Sequence, residues 1–425
     1  AEIEQARGLN GSEWGRQYRE SGAALFESLP FPTHRDEAWR STDIKPIVNT
    51  AFRAIVGEPA NKVGAKDLAN AITVDDAPRA VFVDGLFDAT LSKLDTLPKG
   101  LVVMPLAEAI GKNPDDMEGY LVEQVTNAFG ALNAALLQDG VYVEVAPHTA
   151  IDAPLQVIFV STATDAVVSN PRNVVILGES SELKLVETYY GVNDGASYFT
   201  NAVSEVTVGP NAKLERYKVV QEGAKAYHLE TEHVNLAQDS RFLAYTMTLT
   251  GQITRNELRV RLNGTGGDAS LNGLYLNDRD RVIDNALNVE HAASNCRSRM
   301  AYKGILGETS TAVFTGKVYV HPDAQRTDSD QLNQNLLRAD TASVDTRPQL
   351  EIFADDVKCT HGATIGGFPP ELLFYFQSRG IDAGTANGIL TFGFAQEIVD
   401  EIEVEDLHDK IGAYVFDKYQ PKRKQ

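Results

Sequence analysis

The unit "VILGESSEL" (residues 175–183) returns as "VTVGPNAKL" (206–214), as "VNLAQDSRF" (234–242) and, more loosely, as "GILGETSTA" (304–312). The shared form is apolar-x-apolar-turn-x-polar-small-x-apolar. The turn residues Gly178, Gly209 and Ala237 lie 31 and 28 residues apart. That spacing suits one coil of a strand solenoid better than a hairpin, because a coil must leave the sheet, cross and return above itself. Stacking would bury a continuous apolar core that no single coil could bury alone. A twisted antiparallel sandwich with similar turns is the competing reading.

Around these units the chain alternates with period two, as in "VYVEVAP", "LQVIFVST", "ELKLVETYY", "RFLAYTMT" and "ELRVRLNG", which predicts strands from Gly140 to Gly366. Before Gly140 the spacing is mostly helical, in "GSEWGRQYRESGAALFESL" and "MEGYLVEQVTNAFGALNAALLQDG", with a short hairpin at "AVFVDGLFDATLS". After Pro369 and Pro370 helical spacing returns. The organisation read from the chain is an N-terminal helical region over 1–139, a strand core over 140–366 and a C-terminal helical region over 367–425.

Composition bounds the function. The 425-residue chain is 43% hydrophobic and 23% charged, ordinary for a globular protein, and its net charge of −20 argues against a surface built for nucleic acid or anionic membrane. The basic tail "PKRKQ" is too short to carry a role. No apolar run reaches the roughly 20 residues that cross a bilayer, and the opening "AEIEQARGLN" is too polar for a signal peptide. Two cysteines fit a reducing compartment, the cytoplasm by default. The missing initiator Met keeps an organelle interior open.

One of these cysteines stands in "DDVKCTHGATIGG" (355–367). In an extended strand Cys359 and His361 share a face, while Lys358 and Thr360 point the other way. Thiolate and imidazole suit zinc, iron and iron–sulfur chemistry, but a closed site needs about four ligands. The pair is therefore half a site or a buried thiol beside a structural histidine. Other candidates are weaker. "HLETEH" (228–233) lacks the H-E-x-x-H order, and its His228, Glu230 and Glu232 read as a solvated strand face. Cys296 has Arg297 and Arg299 beside it, which would favour a thiolate, although a packed thiol is the plainer reading. There is no G-x-x-x-x-G-K-[ST], so the chain binds no ATP by a P-loop; "GTGGD" (264–268) reads as a turn between coils, and G-x-S-x-G is absent.

Three segments together resemble the SufB/SufD family of iron–sulfur cluster assembly proteins of the SUF system. "FPTHRDEAWRSTDIKPI" (31–47) is similar to the family's F-P-T-x-R-x-E-x-W-R-x-T-D segment. "HPDAQRTDSDQLNQNLLRADTASVDTRPQLEIFADDVKCTHGATIG" (321–366) resembles its long signature, and "FYFQSRGI" (374–381) the helical continuation. With only two thiols, the chain is closer to the SufD branch than to the cysteine-richer SufB. The resemblance implies a right-handed parallel β-helix flanked by helical regions. It implies a non-catalytic scaffold that pairs with SufB through the β-helix ends and binds the ATPase SufC through C-terminal helices that include Ser378–Ile381. His361, with Cys359 beside it, would then be a ligand for iron or a transient cluster shared with SufB. ATP-driven dimerisation of SufC would rearrange that interface. The isolated chain could form a homodimer, with no nucleotide of its own and no membrane insertion.

Two enzyme readings compete. A β-helical polysaccharide lyase or hydrolase would call for export and a carboxylate cluster with sugar platforms. A Cys359–His361 nucleophile would call for a third, orienting group that the strand does not supply.

Overall fold

The computed structural model describes residue 3 and residues 12–121 and 127–420, so the tail Pro421–Gln425 and the middle of the helical reading at 122–126 lie outside it. The chain between Val141 and Gly366 winds into a parallel β-solenoid, each coil giving one strand to each of two facing sheets. The first sheet runs Ser343–Ile352, Thr311–Val320, Val282–His291, Ile253–Leu262, Tyr227–Leu236, Phe199–Val208, Arg172–Leu177, Val141–Val145. The second runs Val357–Gly366, Thr327–Leu337, Arg297–Leu306, Asp268–Asn277, Arg241–Thr250, Lys213–Gln221, Glu182–Gly191, Leu155–Ser161. The stacking is residue on residue at the repeated unit: Val175, Val206 and Val234 lie in one column and Leu183, Leu214 and Phe242 in another. These columns line the interior between the sheets and form one apolar core along the solenoid.

The corner between the sheets explains the turn chemistry of the repeat. Ser180, Asn211, Asp239, Gly266, Asn295 and Arg326 each take a left-handed φ, from 55° to 80°. The N–H of each of the first five donates to the carbonyl just before the equivalent residue of the next coil, as in Ser180 to Pro210 at 2.8 Å and Asn211 to Gln238 at 2.8 Å, while that of Arg326 donates to the carbonyl of its own equivalent, Asp356, at 2.6 Å. Asn, Asp and Gly tolerate this backbone best, hence their use here. The looser match "GILGETSTA" sits at the opposite corner, leaving the second sheet after Leu306 and entering the first at Thr311. Its resemblance to the other three units reflects the same demand for a turn, not the same place in the coil.

Outer faces are covered by the two ends of the chain. The N-terminal region contains the helices Glu13–Ser28, Leu106–Lys112 and Ala128–Ala135, but also strands that extend the sheets. Arg79–Val83 pairs in parallel with Leu155–Ser161 and turns at Asp84-Gly85, both with positive φ, into Leu86–Phe87. Leu101–Pro105 pairs antiparallel with Val141–Val145. Short apolar runs such as "AVFV" lack alternation because both faces are buried. The arm around residues 31–49 is anchored on the first sheet: the Trp39 ring lies 4.0 Å from the guanidinium of buried Arg255, and Thr42 donates to Asp284. Further on, Ser41 donates to Asp345 and accepts from Arg347, so the arm reaches the last coil. On the other side Ala383–Val399 and Glu405–Tyr419 bury Ile398, Leu407, Ile411 and Val415 against Tyr217, Tyr245, Met247 and Leu274 of the second sheet.

The solvated face expected for "HLETEH" is instead an interior face. His228, Glu230 and Glu232 are in phase with Val234 and Leu236 and point into the core, all three essentially inaccessible. They meet cations from the facing sheet: Arg216 lies 2.8 Å from Glu232 and 3.4 Å from Glu187, and Lys218 donates to Glu230. His228 contacts Glu222 at 3.2 Å through Nδ1. Burial pushes the Glu187 carboxyl up to about 7, with Arg216 pulling it down and Glu230 and Glu232 adding to the rise. Burial without partners would be prohibitive for so many charges, so opposite signs are interleaved.

Two outcomes are expected. Asn211→Val should lower stability by about 1–2 kcal/mol, because a β-branched residue opposes the left-handed backbone, while Asn211→Gly should stay within about 0.5 kcal/mol of the parent; denaturant titration reads both. Between pH 4.5 and about 7 native Glu187 keeps a proton that the unfolded chain has released, so its contribution to stability falls as pH rises through that window. Melting temperature followed across pH 5–8 should slope downward less in Glu187→Gln than in the parent.

Candidate functional site

The strand Val357–Gly366 closes the second sheet and pairs on one side only, with Thr327–Leu337. Among the described residues nothing pairs with its other edge, so a row of backbone donors and acceptors faces outward at the end of the solenoid. The matching edge of the first sheet, Ser343–Ile352, carries Pro348 opposite Gly316, and proline lacks the N–H that strand addition uses. The second-sheet edge has no proline. Side chains of the last coil are correspondingly uncovered, with Ile365 at 47% and Phe353 at 57% exposure.

Cys359 sits on this edge strand in register with Ser329, and His361 in register with Gln331. Ser329 and Gln331 are buried interior residues, so the column they occupy continues into the Cys359 and His361 positions at the solenoid's mouth. Cys359 is half-buried and packs on the apolar core, whereas His361 is exposed. Thr360, on the outward face, donates to Asp330. Burial pushes the Cys359 thiol up and Asp328 adds to this, against a backbone hydrogen bond at Ser329 that pulls it down. The thiol is therefore protonated at neutral pH, and a metal that takes it must displace that proton. His361 has no hydrogen-bond or ion-pair partner among the described residues, which leaves both ring nitrogens free to coordinate or to bond. No group of three or more His, Cys, Asp or Glu able to hold a metal occurs among the described residues. A thiol and an imidazole at an open strand edge amount to a partial donor set of the kind iron accepts, requiring ligands from elsewhere.

The other sequence candidates fall outside this site. Cys296 is fully buried and donates to the Gly264 carbonyl at 3.3 Å, and burial raises its thiol rather than activating it. "GTGGD" is the turn between Ile253–Leu262 and Asp268–Asn277. The Cβ of any larger residue at Gly264 would fall 2.0 Å from the Gln238 nitrogen.

Directly after the edge strand, Pro369 leads into the helix Pro370–Ser378, which buries none of its residues. Phe374 is 70% and Tyr375 54% exposed. Gly380, at φ 83°, ends the turn in which the Ile381 N–H reaches the Phe376 carbonyl at 3.1 Å, so Ser378–Ile381 is a helix-ending bend. The helical spacing of "FYFQSRGI" is visible in the sequence. That none of its residues is buried is not, because that depends on where the preceding strand ends.

Comparisons with known proteins identify the family. The family model described as SUF system FeS cluster assembly, SufBD core domain, matches residues 159–394, and that of the SufBD protein N-terminal region matches residues 9–157. The chain is 31% identical to the iron–sulfur cluster assembly protein SufD of Escherichia coli over 90% of its own length and 88% of the relative's. It is 28% identical to a SufBD family iron–sulfur cluster assembly protein of Synechocystis, covering 92% and 88% of the two chains. To the chloroplastic protein ABCI7 of Arabidopsis thaliana it is also 28% identical, over 94% and 85%. With both family domains matched in order and the solenoid, edge strand and flanking helices in place, this chain belongs to the SufBD family of the SUF iron–sulfur cluster assembly system and is SufD-like within it.

Proposed function

We propose that the chain is a non-catalytic scaffold subunit of a SufB–SufC–SufD complex, which assists iron acquisition and cluster assembly while the partner ATPase supplies the work. The observation that carries this reading is the position of Cys359 and His361 on an unpaired strand edge at the mouth of the solenoid. A partner strand laid along that edge would satisfy its backbone groups and bring further ligands to the two side chains. SufB is the proposed partner there. In its absence a second copy of this chain would take the place, giving a homodimer. His361 would coordinate iron or a transient cluster as neutral imidazole, with Cys359 as thiolate beside it.

The helix Pro370–Ser378 would receive SufC. Its uncovered Phe374 and Tyr375 supply rigid aromatic contact area of the kind interfaces use, and it is joined to the edge strand by only three residues, 367–369. A movement imposed on the helix would therefore pass to the metal-binding edge. We place the protein in a reducing compartment, the cytoplasm, where Cys359 stays a free thiol.

Co-expression with SufB and SufC tests both halves. His361→Ala should lower the iron and sulfide content of the anaerobically reconstituted complex while the subunit ratio stays unchanged; full content in that variant removes the ligand role. Phe374→Ala combined with Tyr375→Ala should weaken capture of SufC by roughly tenfold or more without lowering the melting temperature of the isolated chain, as expected for exposed aromatic anchors.

A further inference from the structure

Two interior columns of side chains change character at the same level, close to the open edge. On the first sheet Leu236, Leu262, His291 and Val320 follow one another. On the second the order is Leu214, Phe242, Ala269, Ser298, Ser329 and Cys359. His291, Ser298 and Ser329 are buried and meet across the interior. His291 Nε2 lies 2.8 Å from the Ser298 hydroxyl oxygen, and that oxygen lies 2.9 Å from the Ser329 hydroxyl oxygen. This run of hydrogen bonds ends on the residue directly next to Cys359 in the column.

Packing alone does not call for these polar groups. Leucine, valine, phenylalanine and alanine fill the same columns in adjoining coils, and polar groups sunk among them cost free energy that their mutual bonds offset. The His291 ring is neutral at neutral pH, because burial holds its pKa down to about 4, so it carries one N–H. The Thr327 hydroxyl donates to the Ala324 carbonyl at 2.8 Å and meets His291 Nδ1 only at 3.5 Å, too long to fix the tautomer. With the proton on Nδ1, Ser329 donates to Ser298 and Ser298 to Nε2, which leaves the Ser329 oxygen to accept from a free thiol. With the proton on Nε2 the order of donors reverses, and the Ser329 hydroxyl is left to donate to a sulfur that has lost its proton. The same network thus suits both states of Cys359.

We propose that Ser329 is a positioning residue for Cys359, donating its hydroxyl proton to the sulfur once that sulfur is bound to metal, with Ser298 and His291 holding the hydroxyl in place. This role rests on the reading of Cys359 as a ligand. Outer groups that bond to a ligand atom fix its orientation and strengthen its hold on the metal, and hydrogen bonds to thiolate sulfur tune the bound iron. On coordination the sulfur–metal bond replaces the S–H bond, and the thiol's proton leaves to solvent at the mouth of the solenoid. The network itself keeps the same number of protons in both states.

Cadmium, a thiolate-seeking probe, tests this when titrated into the isolated full chain at neutral pH and followed by the ultraviolet band of the sulfur–cadmium bond. Cys359→Ala should abolish the band, since Cys296 is fully buried. Ser329→Ala should weaken cadmium binding by about tenfold and move the band to longer wavelength, as loss of a donor to the sulfur requires. His291→Leu combined with Ser298→Ala should act in the same direction by a smaller factor. Melting temperatures should stay at or above the parent value in these variants, because apolar residues already occupy the equivalent positions in adjoining coils. In the anaerobically reconstituted complex with SufB and SufC, Ser329→Ala should release iron to a chelator about tenfold faster. Parental cadmium binding and parental iron release in Ser329→Ala, where Cys359→Ala alters either, overturn the positioning role alone. If Cys359→Ala alters neither, Cys359 is no ligand, and the positioning role falls together with that part of the proposed function.

Discussion

Every part of this molecule depends on parallel strands stacked in register, coil upon coil, through their backbone hydrogen bonds. That pairing aligns like residues in columns, so a few apolar positions repeated along the chain become a continuous core. It also fixes where the growth of the sheet must end. A stacked sheet of this kind always has two last strands, and only something other than another coil can finish it. At the N-terminal end the chain does this itself, with the antiparallel strand Leu101–Pro105 on one sheet and the hairpin through Leu86–Phe87 on the other. At the C-terminal end no described residue pairs with the outer edge of Val357–Gly366.

This asymmetry gives the candidate site its character. Cys359 and His361 continue interior columns to the point where the interior meets solvent. Their chemistry is incomplete for the same reason that the strand's hydrogen bonding is incomplete. The flanking layers reinforce the arrangement from outside. The arm ties Arg255, Asp284 and Arg347 on three strands of the first sheet, while the C-terminal helix pair is packed across the second. Between that pair and the open edge lies a single exposed helix.

Much of this was legible in the chain. Gly178, Gly209 and Ala237 carried the coil length, and the fold followed from it. Cys359 and His361 were placed on a common face by strand geometry alone, yet whether that face was inner or outer depended on phase relative to a neighbouring coil. The same ambiguity misled the reading of "HLETEH": charged residues suggested solvent, although Val234 and Leu236 in the same phase occupy the apolar positions of the repeat and so mark the face as internal. Arg216 and Lys218, in phase with Leu214, were the complementary signal. The N-terminal strands escaped because runs as short as "AVFV", buried on both faces, show no alternation. The exposed helix face was unreadable because helical periodicity records what is apolar, not what covers it.

The buried charges bear on a problem peculiar to stacked architectures. Coils built to one apolar formula are nearly interchangeable, and a chain that threads one coil out of place would still bury valines on valines. Glu187, Arg216, Lys218, Glu230 and Glu232 occupy consecutive coils, and each finds its opposite sign only when those coils are neighbours in the native order. In any other order these charges would lie uncompensated among the apolar residues of their own columns, such as Leu185 and Ala244 beside Arg216 and Leu258 beside Glu232. They thus act as serial numbers on otherwise similar rungs, lending the middle of the molecule a unique threading that hydrophobicity alone cannot specify.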